Sequence, residues 1–350
     1  MNIAFVLSES AFWGNILESP MVGGRELAAL AVAERLAERH DVTVYAAIPQ
    51  YTLRNNVMYH PLKPTDVHYG HEAVIAVEGY DVLRRCTAQQ RIAWAQTGTP
   101  QFGRLDRAIT HYVVNSPHKV QVLTEANPTI DPAKITIIGN GCDIAAMDAC
   151  KAEPVHGRLL WTQSPDRGLF HLLRIWPRLK QRFPRLTLRV TYRAGALEPH
   201  RWSHRIEASW CRTIDEGQYL DGVTFLGALS RADLIREQKS AQLYACPYDP
   251  AQLSTETGNL GAIEIAAARV PMLLSDDVAV QELFFDSAWF LPLPVNDDDW
   301  YEGIEMLLTD PAKRLKHVAA ARGIAEMREW HWVANAWGAM LEGAREKVTV

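Results

Sequence analysis

Two glutamates, Glu256 and Glu264, stand eight positions apart in the stretch LSTETGNLGAIEIAAARVP, with Gly258, Asn259 and Gly261 between them. A glycine-bounded polar turn ahead of a helix leaves backbone N–H groups without helical partners, and with the helix dipole these suit an anion. Thr257, Gly258, Asn259 and Leu260 supply such amides, and Gly261 to Ala268 supply the helix. A carboxylate on each side suits a ligand that also carries hydroxyls: Glu256 would accept from a sugar and Glu264 from a ribose. A nucleoside diphosphate sugar has all three features. Taken alone, the same pair reads as a solvated glutamate and a charge that satisfies a helix dipole.

The elements around this stretch alternate strand and helix. NIAFVL near the N-terminus is a buried strand, followed by a Ser-, Gly- and Pro-rich loop that ends at Gly23 and Gly24. From Glu26 to His40 the apolar positions recur with helical spacing, and VTVYAAI is a second strand, completing a βαβ unit. Strands are expected at Ala73–Val77, Ile92–Ala95, Tyr112–Asn115 and Lys134–Ile138, with Ser116 capping a helix from Pro117. GNGCD at Gly139–Asp143 demands a tight turn, held by Asn140.

The alternation begins again at RLLW (Arg158–Trp161). After the turn TQSPD comes a helix with a Leu/Trp stripe that contains Pro177, an expected kink. Strands LTLRVTY, GVTFLG, QLYACP, VPMLLS and AWFLP follow, with helices after Ser230, over Asp297–Leu308, over Pro311–Met327 and in the tryptophan-rich C-terminal segment. The fold class is therefore α/β, with two Rossmann-like parallel-sheet domains. The boundaries are 1–153 for the first domain, 154–328 for the second and 329–350 for a last helix returning to the first. Ligands on such sheets bind beyond the carboxyl ends of the strands, here in the cleft between the domains.

Composition bounds the function. The chain has 350 residues, 48% hydrophobic and 22% charged, with a formal net charge of -5, which argues against general nucleic-acid affinity. No apolar run reaches the length of a membrane span, and MNIAFVLSES lacks the basic flank of a signal peptide. Five scattered cysteines without CxxC spacing read as reduced thiols of a cytoplasmic protein.

The spacing of Glu256 and Glu264 resembles the E-x7-E signature of retaining glycosyltransferases of the GT-B fold, in particular the GT4 family. Further features fall in that family's order: Gly23–Gly24 before Glu26, GNGCD, SPDRGLFHLL from Ser164, FLGALSRADL from Phe225, and the aromatic REWHWVANAW. The resemblance spans nearly the whole chain. It implies that Arg167 takes the place of the family's lysine and neutralises the departing diphosphate. It implies further that Glu256 with the amides of Gly258 and Asn259 holds the donor sugar, Glu264 the ribose, and Ser164, Gly23 and Gly24 the phosphate side.

There are departures. Trp161, Thr162 and Gln163 stand where the family has an arginine, Gln96 stands for its first-domain histidine, and Arg193 is the candidate second cation. NDDDW at Asn296–Trp300 contains a DxD, but at the start of a helix it reads as capping and solvation. His200 and His204 lack a metal-binding context, and no metal or cofactor is expected beyond the nucleotide sugar as co-substrate.

The function expected is transfer of a sugar from a UDP- or GDP-sugar to an acceptor hydroxyl, in glycan, polysaccharide or glycolipid synthesis. The acceptor is a carbohydrate or a lipid-linked sugar. RLKQRFPRLTLR and RWSHR would suit an anionic acceptor or the inner face of a membrane, and equally a solvated surface. The alternatives are a catalytically degenerate nucleotide-binding subunit and a sugar-nucleotide epimerase on the same fold. A dehydrogenase is disfavoured, since no G-x-G-x-x-G follows the first strand.

Overall fold

A computed structural model of the chain describes residues 1–7, 16–17, 22–62, 70–192, 208–249 and 258–343. It divides into two units, one of Met1–Gly141 with Met327–Val350 and one of Cys142–Glu326. The expected boundary at 153 thus moves back to Gly141. Cys142 and Met147 are fully buried in the core of the second unit, which claims the connecting segment.

Eight strands build the sheet of the first unit: β1 (Asn2–Val6), β2 (Asp41–Ala46), β3 (Thr52–Arg54), β4 (Val57–Pro61), β5 (Ala73–Val77), β6 (Gln90–Ala95), β7 (His111–Val114) and β8 (Ile135–Ile137). Their order is β3-β4-β2-β1-β5-β6-β7-β8, parallel except at the β3–β4 hairpin. β5 is buried at every position, as a parallel strand covered on both faces must be, and its sequence AVIAV is uniformly apolar. The hairpin is an element not anticipated from the sequence. It turns through Asn55 and Asn56, both left-handed at φ 50° and 61°, a pairing suited to a two-residue turn.

Helix α1 (Gly24–Leu36) follows the glycine loop, and α2 (Pro117–Ala126) is capped by Ser116, whose hydroxyl accepts from the Lys119 N–H. The C-terminal helix Trp330–Leu341 packs on α1 and buries Trp337 against Trp94, with ring centroids 4.7 Å apart. Gly141 lies under this segment: a Cβ there would sit 2.6 Å from the Trp330 ring.

The second unit has β9 (Arg158–Trp161), β10 (Thr187–Val190), β11 (Val223–Phe225), β12 (Leu243–Cys246), β13 (Met272–Ser275) and β14 (Trp289–Leu291). The order is β11-β10-β9-β12-β13-β14, with every pairing parallel, the doubly wound arrangement. Its helices are α3 (Ile144–Ala149), α4 (Leu169–Arg182), α5 (Ala208–Gly217), α6 (Arg231–Lys239), α7 (Leu260–Ala267), α8 (Val278–Phe284), α9 (Asp297–Thr309), α10 (Pro311–Leu315) and α11 (Val318–Glu326). α4 continues through Pro177. The single helix expected over Pro311–Met327 is two, α10 and α11.

Two charge clusters that drew attention in the sequence neutralise one another. Along α4, Arg174, Arg178 and Arg182 recur every fourth residue, and α9 presents an acid to each. Arg174 Nε lies 2.9 Å from Asp297, Arg178 Nη1 2.5 Å from Asp298, and Arg182 Nε 2.7 Å from Glu305. Asn296 caps α9 by accepting from the N–H groups of Asp298 and Asp299. The DxD of NDDDW is therefore a helix start and an ion-pair partner.

Candidate functional site

In a doubly wound sheet the strand order reverses at one point, and the loops leaving the carboxyl ends of the two strands there part to leave a crevice. In the second unit that point lies between β9 and β12, which pair directly. The loop after β9 carries Ser164 and Arg167, and the loop after β12 leads to Gly258, Asn259, Leu260 and α7. Five residues from two loops far apart in sequence thus come to one edge of one sheet.

Ser164 opens the 3-10 turn Pro165–Arg167, which Gly168 ends with φ 113°. Any Cβ on Gly168 would lie 1.9 Å from the carbonyl oxygen of Pro247, at the end of β12. This close approach sets the height of Arg167 above the sheet, and its guanidinium lies 5.9 Å from the centre of the Tyr248 ring. Burial pushes the Asp166 carboxyl up, against the opposing effects of Ser164 and Arg167. It also pushes up the Tyr192 hydroxyl.

Gln163, where the resembling family has an arginine, joins the two loops. Its Nε2 donates to Asn259 Oδ1 at 2.5 Å, and the same oxygen accepts from the Ala262 N–H at 3.0 Å, capping α7. One turn further, Glu264 is 2% exposed. Its Oε2 accepts from Gln238 Nε2 at 2.9 Å, and its Oε1 forms an ion pair with Arg231 Nη2 at 2.5 Å. Burial works against the charge on Arg231, but Glu264, helped by Asp143 and Cys142, favours it, and the net shift is upward. The ribose role expected of Glu264 thus meets a carboxylate already engaged inside the chain. Arg231 and Gln238, seven residues apart on one face of α6, are partners that spacing within α7 could not reveal. Arg193, Glu256 and Thr257, with His200 and His204, lie outside the described residues.

In the first unit the reversal lies between β1 and β5. Gly23 is the extended N-cap residue of α1 and Gly24 its first residue. Arg25 Nε lies 2.9 Å from the buried carboxylate of Glu26. A cavity of about 440 Å³ opens at this edge, lined among others by Arg25, Glu78, Tyr80, Thr97 and Gly98. Gln96, at the place of the resembling family's histidine, is 3% exposed, and its Nε2 donates to the Arg25 carbonyl at 3.4 Å. Among the described residues no group of three or more His, Cys, Asp or Glu side chains is arranged to hold a metal ion. No described helix is long and apolar enough to cross a membrane.

No family model and no curated protein sequence matches the chain. Solved structures do. Sucrose-phosphate synthase from Thermosynechococcus elongatus aligns over 98% of this chain and 98% of its own, with a TM-score of 0.73 at 14% identity. A glycosyltransferase from Rickettsia africae aligns over 99% of both chains with a TM-score of 0.70, also at 14% identity. Anabaena HepE, solved in complex with UDP-glucose, aligns over 98% of this chain and 99% of its own, with a TM-score of 0.68 at 15% identity.

The fold is GT-B.

At such low identity the likeness is one of fold alone; in this chain the two sheets have eight and six strands.

Proposed function

We propose that the chain is a retaining glycosyltransferase of the GT4 kind, moving a sugar from a UDP- or GDP-sugar to an acceptor hydroxyl. The observation that carries this reading is the junction at the β9–β12 switch point, where Gln163 bonds to Asn259 at 2.5 Å. It ties the loop bearing Arg167 to the start of α7, so a cation and a helix N-terminus share one crevice mouth. That combination suits a diphosphate. The UDP-glucose complex of HepE, on the same fold, supports a nucleotide sugar as the donor.

In this reading Glu256 and the amides from Thr257 to Leu260 hold the donor sugar and its phosphates, with Ser164, Arg193, Gly23 and Gly24 as further donor contacts. Glu264, oriented by Arg231 and Gln238, faces the ribose. With no side chain assigned as a nucleophile, the transfer is a same-face substitution. The acceptor oxygen bonds to the anomeric carbon as the bond to the diphosphate breaks, and the departing diphosphate takes the acceptor proton. Arg167 stabilises the charge that accumulates on it. Arg167 and Glu256 are thus the groups at the reacting centre, and the transfer needs no metal.

The first unit takes the acceptor, a carbohydrate or a lipid-linked sugar of glycan, polysaccharide or glycolipid synthesis. The reading carries with it a cytoplasmic location, at the inner face of a membrane where the acceptor is lipid-linked. A degenerate nucleotide-binding subunit is the second reading, favoured by the engaged state of Glu264.

The test is calorimetry with UDP, GDP, ADP and their sugars on wild type and Arg167→Ala, followed by turnover with the donor that binds. Arg167→Ala should lower kcat by about a hundredfold or more at unchanged melting temperature. Equal turnover in the variant removes Arg167 from the mechanism. Binding without turnover in wild type supports the degenerate subunit.

A further inference from the structure

One buried carboxylate and one buried ammonium grip the same turn of the first unit. Glu78 follows β5, and its Oε1 accepts from the Gln96 N–H at 3.1 Å, the Thr97 N–H at 2.9 Å and the Thr97 hydroxyl at 3.2 Å. Its Oε2 accepts from the Tyr80 hydroxyl at 2.7 Å. To do so Glu78 holds a left-handed backbone at φ 56°, and Gly79 follows at 63°. For a residue with a side chain that conformation costs on the order of 1 kcal/mol, and it persists where the surroundings over-determine it.

The other grip comes from α2. Lys119 has no exposed surface, and its Nζ donates to the carbonyl of Thr97 at 3.3 Å and, closer still, to that of Gly98. Among the described residues no carboxylate is in ion-pair contact with it, an uncommon state for a lysine. Burial pulls its pKa down to about 8, with Glu78 pulling the other way. Of the strands packed on α2, β7 carries His111 and Tyr112, and β8 carries no titratable group. The turn is thus polarised end to end, its N–H groups toward an anion and its C=O groups toward a cation. Thr97 and Gly98 are also wall residues of the cavity of about 440 Å³.

We propose that Glu78 and Lys119 are positioning residues that together hold the Gln96–Gly98 turn as a preset wall of the first unit's cavity. Lys119 acts on the occupant only through the main chain it fixes, whereas Glu78 also borders the cavity itself. A lone structural lysine would be met more cheaply by an apolar residue, because burying an ammonium costs several kcal/mol. That the occupant is the sugar acceptor rests on the transferase reading above; the grip on the turn does not.

The test is amide hydrogen exchange of the full chain, wild type against Lys119→Met and Glu78→Gln, between pH 7 and 9 and corrected for intrinsic rates. Protection at Gln96 and Thr97 should fall at least tenfold in both variants at pH 7, while β12 and α7 keep theirs. In wild type the same protection should fall as pH passes about 8, as Lys119 loses its charge, and in Lys119→Met it should be flat. Unchanged protection at pH 7, or a fall shared by β12, overturns the proposal. Calorimetry with UDP, GDP and ADP on the same samples separates the two ideas. Failure of wild type to bind any nucleotide counts against the transferase and leaves the exchange result standing.

Discussion

Gly168 and Pro247 meet without room for a side chain: a Cβ on the glycine would lie 1.9 Å from the proline carbonyl oxygen. The contact crosses from the loop after β9 to the end of β12, so it fixes Arg167 relative to the strand that leads to α7. Gly168→Ala adds both this clash and a strained backbone at φ 113°. The variant should lose on the order of 3 kcal/mol in urea unfolding. A loss of a few tenths would mean that the loop moves freely and does not hold Arg167.

Arg231 and Glu264 form a second such pair, with the carboxylate 3% and the guanidinium 34% exposed. Removing one partner leaves the other charge buried, so Arg231→Met should cost about 3 kcal/mol, whereas Arg231→Met with Glu264→Leu should recover much of it. A double-mutant cycle by chemical denaturation measures the coupling. If the single and double variants are equally stable, the pair is not an energetic unit, and Glu264 is free for a ligand.

Acid should act on the first unit. His40, His71 and His111 all lie there, and burial lowers the pKa of each. His71 is the clearest case, held within 2.8 Å of Asn2 Oδ1 and 3.0 Å of the Tyr45 hydroxyl. A base with a depressed pKa in the folded state binds its proton more readily when unfolded. Stability is therefore whole above the ordinary value near 6.5 and is lost as pH falls from there. The denaturant midpoint of the first unit should drop between pH 7 and 5.5, and His71→Gln should flatten the drop. The same slope in that variant would clear His71.

Much of the architecture is legible in the chain because parallel strands buried on both faces must be apolar throughout. AVIAV and LYAC fit such strands, and both are buried at every position. Ser116 and Ser230 cap the helices they precede, as their hydroxyl groups suggest; the cap that the Asn259 side chain supplies to α7 was not foreseen. The Asn55–Asn56 hairpin was not anticipated, because its strands are only three and five residues long and carry little pattern.

The split of α10 from α11 was not readable, because nothing in PAKRLKHVAAAR breaks a helix. The Trp289 indole takes the Lys313 carbonyl at 3.0 Å, competing with the N–H of the next turn. The arginines of α4 showed their charge but not the acids of α9 that meet them. Lys119 looks like a surface residue on a capped helix, yet it is wholly buried.

Local pattern is a property of neighbours along the chain, so the sequence by itself determined the α/β class, the two successive units and the serine helix caps. Partnership is a property of neighbours in space. Only the tertiary structure decided that Glu264 faces Arg231, that Glu78 and Lys119 share one turn, and that Gly168 lies against Pro247. Each of these joins residues on different strands or helices, whose approach is set by sheet order and packing and leaves no trace in spacing.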